Sequence, residues 1–177
     1  MANHEDRPIR KSVDLLLAFK RKKLGNDTNE CIRIVIKDYD IDLALLEYKC
    51  KLLGGIWRIH KTINSRNTGK ARKWLIHKLI DNPEFSGCVD SIWKTALLQK
   101  ENANEHNFLL DIDTKNEQII RSIKTIIQNS LGVIKNEVET PNGWHFFTNP
   151  FDSRAICKVS CVTLIRDGYY FIKEINA

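Results

Sequence analysis

The sequence predicts an α+β domain in two lobes within one chain of 177 residues, an N-terminal αβ unit over about residues 1–100 and a β-α-β-β lobe over about 107–177. Short runs rich in β-branched residues alternate with segments of helical spacing through the first half. The polar segment QKENANEHN, Gln99 to Asn107, then interrupts the chain as a linker or surface loop. Beyond it come an apolar run, a helix with a single apolar stripe, and two strands joined by the tight turn Pro141-Asn142-Gly143.

In chain order, the polar start MANHEDRPIRKS has no apolar core followed by small residues of the kind a secretory signal carries, which predicts a cytoplasmic protein. From Ser12, SVDLLLAFKRKKLG reads as an amphipathic helix with Val13, Leu16, Leu17 and Leu24 on one face and the cations Lys20 to Lys23 toward its carboxyl end, where the helix dipole favours them. CIRIVIKD, Cys31 to Asp38, reads as a strand, DLALLEYKCKLLGG as a helix closed by Gly54 and Gly55, and IWRIHKTIN as a second strand. Thr68 is placed to cap a helix carrying Ala71, Trp74, Leu75 and Leu79, and a further irregular or helical stretch covers Ser91 to Lys100. In the second half Ile119, Ile120, Ile123, Ile126, Ile127 and Leu131 recur at helical spacing, and Gly132 ends that helix. VIKNEVE and WHFFTN are the strands on either side of the turn. The last two β-rich runs, within CVTLIRDGYYFIKEI, are joined by Arg166-Asp167-Gly168, whose Asp-Gly is a hairpin signal.

The composition, 42% hydrophobic and 28% charged, is that of a globular domain, and no apolar run approaches the roughly 20 residues needed to span a bilayer. Five cysteines with no C-x-x-C pair indicate neither a disulfide framework nor a zinc site, so reduced and mostly buried thiols are expected. The formal charge of +6 points weakly to an anionic partner. Abundant Ile, Asn and Lys suit an AT-rich bacterial or phage genome. The oligomeric state is not legible.

Chemistry concentrates in FLLDIDTKN, Phe108 to Asn116. Side chains two apart on a strand point the same way, so Asp111 and Asp113 lie about 6 to 7 Å apart on one face. That pairing is unfavourable unless a cation lies between them. The alternative is that the strand ends at Leu110 and the acids are a solvated turn and a helix cap. The second cluster is ETPNGWHFFTNPFD, where His145 follows a turn, Thr140 to Gly143, whose amides are available to an anion. A histidine beside aromatics is also a common packed residue. In a β-α-β-β unit, however, the DID strand and the His145 strand can be neighbours in one sheet, bringing acids, histidine and turn to a shared face.

On Leu110-Asp111-Ile112-Asp113 and Thr140-Pro141-Asn142-Gly143-Trp144-His145, the chain resembles the catalytic core of the archaeo-eukaryotic primase superfamily, whose cores carry an hDhD strand and a later sGxxH-type signature. The order of elements is similar too, with an αβ unit followed by an RRM-like, ferredoxin-like lobe. The resemblance implies that Asp111 and Asp113 bind catalytic Mg or Mn. It implies that His145 contacts the phosphates of a nucleotide; Thr140, Asn142 and Gly143 of the turn, and Lys115, are the further candidates for holding them. The family also has a third acidic residue on a later strand, for which Asp152, Asp167 and Glu174 are the candidates. The expected function is a metal-dependent nucleotidyltransferase or nucleotide-processing enzyme of primase-polymerase type; the alternative is a nucleotide- or nucleic-acid-binding module, such as a phage accessory or inhibitor protein, that keeps the fold without turnover.

The stretch WRIHKTINSRNTGKARK adds Arg58, Lys61, Arg66 and Arg72 as candidates for holding single-stranded nucleic acid by its phosphates. Arg58, His60 and Thr62 alternate onto one face of their strand, opposite Trp57, Ile59, Lys61 and Ile63. Solvated charges on a strand edge and a helix surface are the competing interpretation.

Overall fold

The computed structural model of the protein describes residues 11–22 and 27–176. The polar start as far as Arg10, and Lys23 and Leu24 of the first expected helix, lie outside them. The elements are β1 (Ser12–Val13), β2 (Leu15–Arg21), β3 (Asp27–Val35), α1 (Tyr39–Leu53), β4 (Ile56–Thr62), β5 (Arg66–Asn67), α2 (Thr68–Asp81), α3 (Val89–Leu97), β6 (Phe108–Ile112), α4 (Glu117–Asn129), β7 (Ile134–Glu139), β8 (Trp144–Thr148), β9 (Val162–Ile165) and β10 (Tyr169–Asn176). This is the α+β class that the sequence predicts. No helix among the described residues is long and apolar enough to cross a membrane. Two compact units divide the chain: Met1–Asn104 together with Tyr169–Ala177, and Glu105–Gly168.

The first unit is built on a four-stranded antiparallel sheet in the order β10-β4-β2-β3. Its central strand β2 corrects the expectation of a helix from Ser12. Leu15, Leu16, Leu17 and Ala18 are all fully or almost fully buried. Leu16 and Ala18 join Leu46 and Cys50 of α1 with Trp57 and Ile59, while Leu15 and Leu17 join Ala71, Ala96 and Leu97 of α2 and α3. A strand covered on both faces is apolar without alternation, and such a run carries no period that separates it from a buried helix.

Three smaller expectations also change. Asn67, not Thr68, caps α2, its side chain accepting from the Lys70 amide at 2.9 Å. The expected linker is packed into the first unit as far as Asn104: Asn102 and Ala103 are buried, and Asn102 Nδ2 donates to the Ala96 carbonyl at 2.7 Å. The last two strands form no hairpin, because β9 pairs with β6 and β10 with β4. Gly168, at φ 146°, supplies the bend that Asp-Gly signals, but a bend does not choose its partners. β10 leaves to seal the edge of β4, burying Ile175 with Trp57.

The second unit has the antiparallel order β7-β8-β6-β9 with α4 on one face. This is the strand order of a ferredoxin-like sheet, with a short turn at Ile156–Lys158 where a second helix would stand. Leu110, Ile112 and Phe146 meet Ile123 and Ile127 of α4 in its core.

All five cysteines are free, but Cys88 and Cys157 are exposed, against the expectation of mostly buried thiols. Burial, reinforced by nearby Glu47, pushes the Cys50 thiol up to about 11.

The end of α4 holds a strained residue. Leu131, the last member of the expected stripe, is 86% exposed and adopts φ 62°, while the Gly132 amide donates to the Ile127 carbonyl at 2.8 Å. A left-handed backbone at a branched residue costs about 1–2 kcal/mol, and the exposed side chain returns nothing. Leu131→Gly is therefore expected to stabilise the protein by about 0.5–1 kcal/mol after the entropy of an added glycine is subtracted. Chemical denaturation of both proteins measures it.

Candidate functional site

The helix over Ile119 to Ile127 fixes which residues of β6 face outward. Leu110 and Ile112 turn toward α4, so Asp111 lies on the opposite face. Its cross-strand partners are His145 on β8 and Thr163 on β9, and His145 in turn lies opposite Val138 on β7. The row Val138-His145-Asp111-Thr163 thus crosses all four strands. His145 Nε2 stands 3.3 Å from Asp111 Oδ1, with the imidazole 11% and the carboxylate 39% exposed. The shared face expected of these two residues is present.

Neither aspartate is a helix cap. That role belongs to Asn116, whose side chain accepts from the amides of Gln118 and Ile119 at 2.9 and 3.4 Å. The strand runs on to Ile112, past the Leu110 end that the capping alternative requires. Asp113 is exposed, and its amide donates to the Cys161 carbonyl at 2.9 Å, so the pairing with the neighbouring chain extends past Ile112. The backbone at both aspartates is held by pairing with the neighbouring strands and not by the needs of the following helix.

Gly143 sets how close the turn comes to the acids. A Cβ at this position would lie 1.8 Å from the Ile112 carbonyl oxygen and 2.7 Å from the Thr114 nitrogen. Only a residue without a side chain lets the β7–β8 turn rest against the chain on either side of Asp113. The turn itself does not offer the expected bed of amides. The Thr140 amide donates to the Gly143 carbonyl at 2.9 Å, the Gly143 amide to the Thr140 hydroxyl at 3.1 Å, and Pro141 has no N–H. At most the amide of exposed Asn142 faces outward. Lys115 also departs from the expected set, because its Nζ pairs with Glu139 at 2.8 Å. With Glu117, Ile120, Arg121, Lys124 and Trp144 they line a depression of about 370 Å³ beside α4.

None of the three candidate third carboxylates joins Asp111. Asp152 is bound by the Arg154 guanidinium, which lowers its carboxyl to about 2. Asp167 follows the far end of β9, beyond Ile165, the partner of Leu109. Glu174 belongs to β10 in the other unit, where it pairs with Arg21 at 3.0 Å and Arg58 at 3.4 Å. The position opposite Asp111 on β9 is Thr163. Among the described residues, no three His, Cys, Asp or Glu gather as a metal-holding group. The donors that are present fit one hydrated divalent cation, since Mg keeps several waters and is commonly held by one or two carboxylates plus substrate phosphates. They do not fit a pair of ions.

The basic candidates do not make a single patch. Arg58 and Lys61 leave opposite faces of β4. Lys61 pairs with Asp14 at 3.0 Å, and although burial works against its charge, that carboxylate holds its pKa above the ordinary value. Arg66 is 1% exposed, which removes it from any surface stripe. Arg72 is exposed and lines a depression of about 320 Å³ with Lys11, Asn67, Thr68 and Gly69. His60 packs edge-on against Phe19, Tyr169 and Phe171 at centroid distances of 5.4 to 5.8 Å.

Thr163 is the site residue that sequence reasoning missed. Its signal lay in the register of β9 against β6, which the hairpin interpretation of Asp167-Gly168 concealed. The close approach at Gly143 is open to a direct test: Gly143→Ala is expected to cost about 1–3 kcal/mol, the range for forced overpacking, read as a lowered unfolding midpoint. Compared with family models, curated proteins and solved structures, the chain has no significant match.

Proposed function

We propose that the second unit is the nucleotide site of a metal-dependent nucleotidyltransferase of primase-polymerase type, with Asp111 and Asp113 holding Mg or Mn and His145 contacting nucleotide phosphates. The observation that carries this reading is the Asp111–His145 pair at 3.3 Å on the face opposite α4, with an exposed Asp113 that caps nothing just beyond the end of β6. A bound cation supplies charge neutralisation for the phosphates. The chain's own contribution is positional: β6 presents Asp111 and ends just before Asp113, Gly143 lets the turn rest against the backbone on either side of Asp113, and the imidazole offers a hydrogen bond to a phosphate oxygen. Charge +6 and exposed Arg72 are consistent with a polynucleotide partner.

Thr163 favours a second reading, a nucleotide-binding module without turnover. A two-metal transfer mechanism clamps both the attacking and the leaving oxygen, and a threonine where the additional carboxylate would fit leaves one ion at most. Nucleotide recognition survives that loss; transfer need not.

Thermal melts are expected to rise with millimolar Mn in the wild type and to remain unchanged in Asp111→Asn/Asp113→Asn, since a ligand at a hundredfold excess over its dissociation constant stabilises by about 2.7 kcal/mol. An unresponsive wild type removes the metal. Labelled nucleoside triphosphates incubated with Mn and an oligonucleotide should give extension products that disappear in Asp111→Asn. Metal-dependent nucleotide binding with no product selects the module instead. Thr163→Asp is expected to strengthen Mn binding by about tenfold or more, the effect of one added carboxylate ligand worth at least 1.4 kcal/mol, as titration calorimetry would record.

A further inference from the structure

Helix α1 is apolar on two sides. Leu46 and Cys50 are fully buried against the sheet of the first unit, with Leu43 beside them. Away from the sheet Ile41, Leu45, Tyr48 and Leu52 are 68%, 42%, 59% and 67% exposed. They follow one another at intervals of four, three and four residues, the spacing of a seam between two packed helices. Single exposed apolar residues are ordinary, whereas a contiguous row marks a surface that associates.

The charges beside the row say what fits it. Asp38, Asp40 and Asp42 lie at the amino end of α1, and Lys49 and Lys51 near its carboxyl end. A second copy of the helix laid antiparallel sets each acidic end beside the other's basic end and opposes the two helix dipoles. It also sets Ile41 against Leu52 and Leu45 against Tyr48, twice over. Parallel copies would place acid beside acid. The row is therefore complementary to itself under a two-fold rotation, as an isologous interface requires.

We propose that α1 is the two-fold interface through which two copies of this chain associate, with their α1 helices antiparallel and the row Ile41, Leu45, Tyr48 and Leu52 buried between them. The interface is confined to residues of the first unit.

Sedimentation of the full chain is expected to give a dimer at tens of micromolar. Leu45→Glu/Tyr48→Glu, which alters only exposed side chains, should raise the dimer dissociation constant by about a hundredfold or more without change in helical circular dichroism, a shift of at least 2.8 kcal/mol. Lys49→Glu/Lys51→Glu leaves the apolar row intact. It should weaken the dimer more at low salt than at high salt, because screening removes the added repulsion. A wild type that remains monomeric at several hundred micromolar overturns the proposal, whatever other protein it captures. So does a dimer that survives the glutamate pair in the row, and one indifferent to charge reversal overturns the antiparallel arrangement.

Discussion

The register of β6 between β8 and β9 is the constraint on which the second unit depends. Along a strand the side chains alternate, so a slip of one residue would turn Leu110 and Ile112 away from α4 and drive Asp111 and Asp113 into its core. Burying two unpaired carboxylates in apolar surroundings costs several kcal/mol each even after relaxation. The apolar cost of exposing Leu110 and Ile112, both fully buried, adds to this. The same alternation that packs the helix thus delivers Asp111 to the opposite face, beside His145. The contact of Gly143 with the Ile112 carbonyl is a second lock, since it fixes where the β7–β8 turn meets the end of the strand.

What was legible in the sequence followed from that periodicity. Helix α4 has apolar residues on one side only, and its neighbours β6, β7 and β8 follow in the expected order. The shared face of Asp111 and His145 was also accessible, because two strands of one β-α-β-β unit have few ways to lie. What failed was information that no local pattern carries. β2 is buried on both faces, so the run Leu15 to Ala18 has no alternation to read. The separation of β9 from β10 was hidden because a turn dipeptide specifies a bend, while the choice of sheet depends on edges a hundred residues distant. β10 pairs with β4, at the edge of the first unit's sheet.

The basic stretch shows the same limit in its charges. Alternation correctly sent Trp57 and Ile59 inward, but placed Lys61 with them on the face toward α1, where it meets Asp14 and lies 5.7 Å over the Tyr39 ring. Arg66 looked like one more surface cation, yet it lies in the short β1–β5 ladder and is buried. A count of cations along a sequence cannot distinguish a stripe from charges scattered over both faces of a sheet.

The two carboxylates differ in what the fold does for them. Asp111 is half-buried and has His145 as a partner, so part of its lost hydration is returned at 3.3 Å. Asp113 is exposed and retains its water. One partnered acid on the sheet and one hydrated acid just beyond its end is a tolerable resting state without a cation, and this arrangement needs no third carboxylate to be stable. A third carboxylate would add negative charge to this face. Thr163 opposite Asp111 keeps the face less anionic, at the expense of holding a second ion. On the proposed reading, the consequence falls on the chemistry more than on recognition: nucleotide phosphates complete the shell of a single hydrated ion themselves, so affinity for a metal-bound nucleotide depends less on the position opposite Asp111 than transfer does.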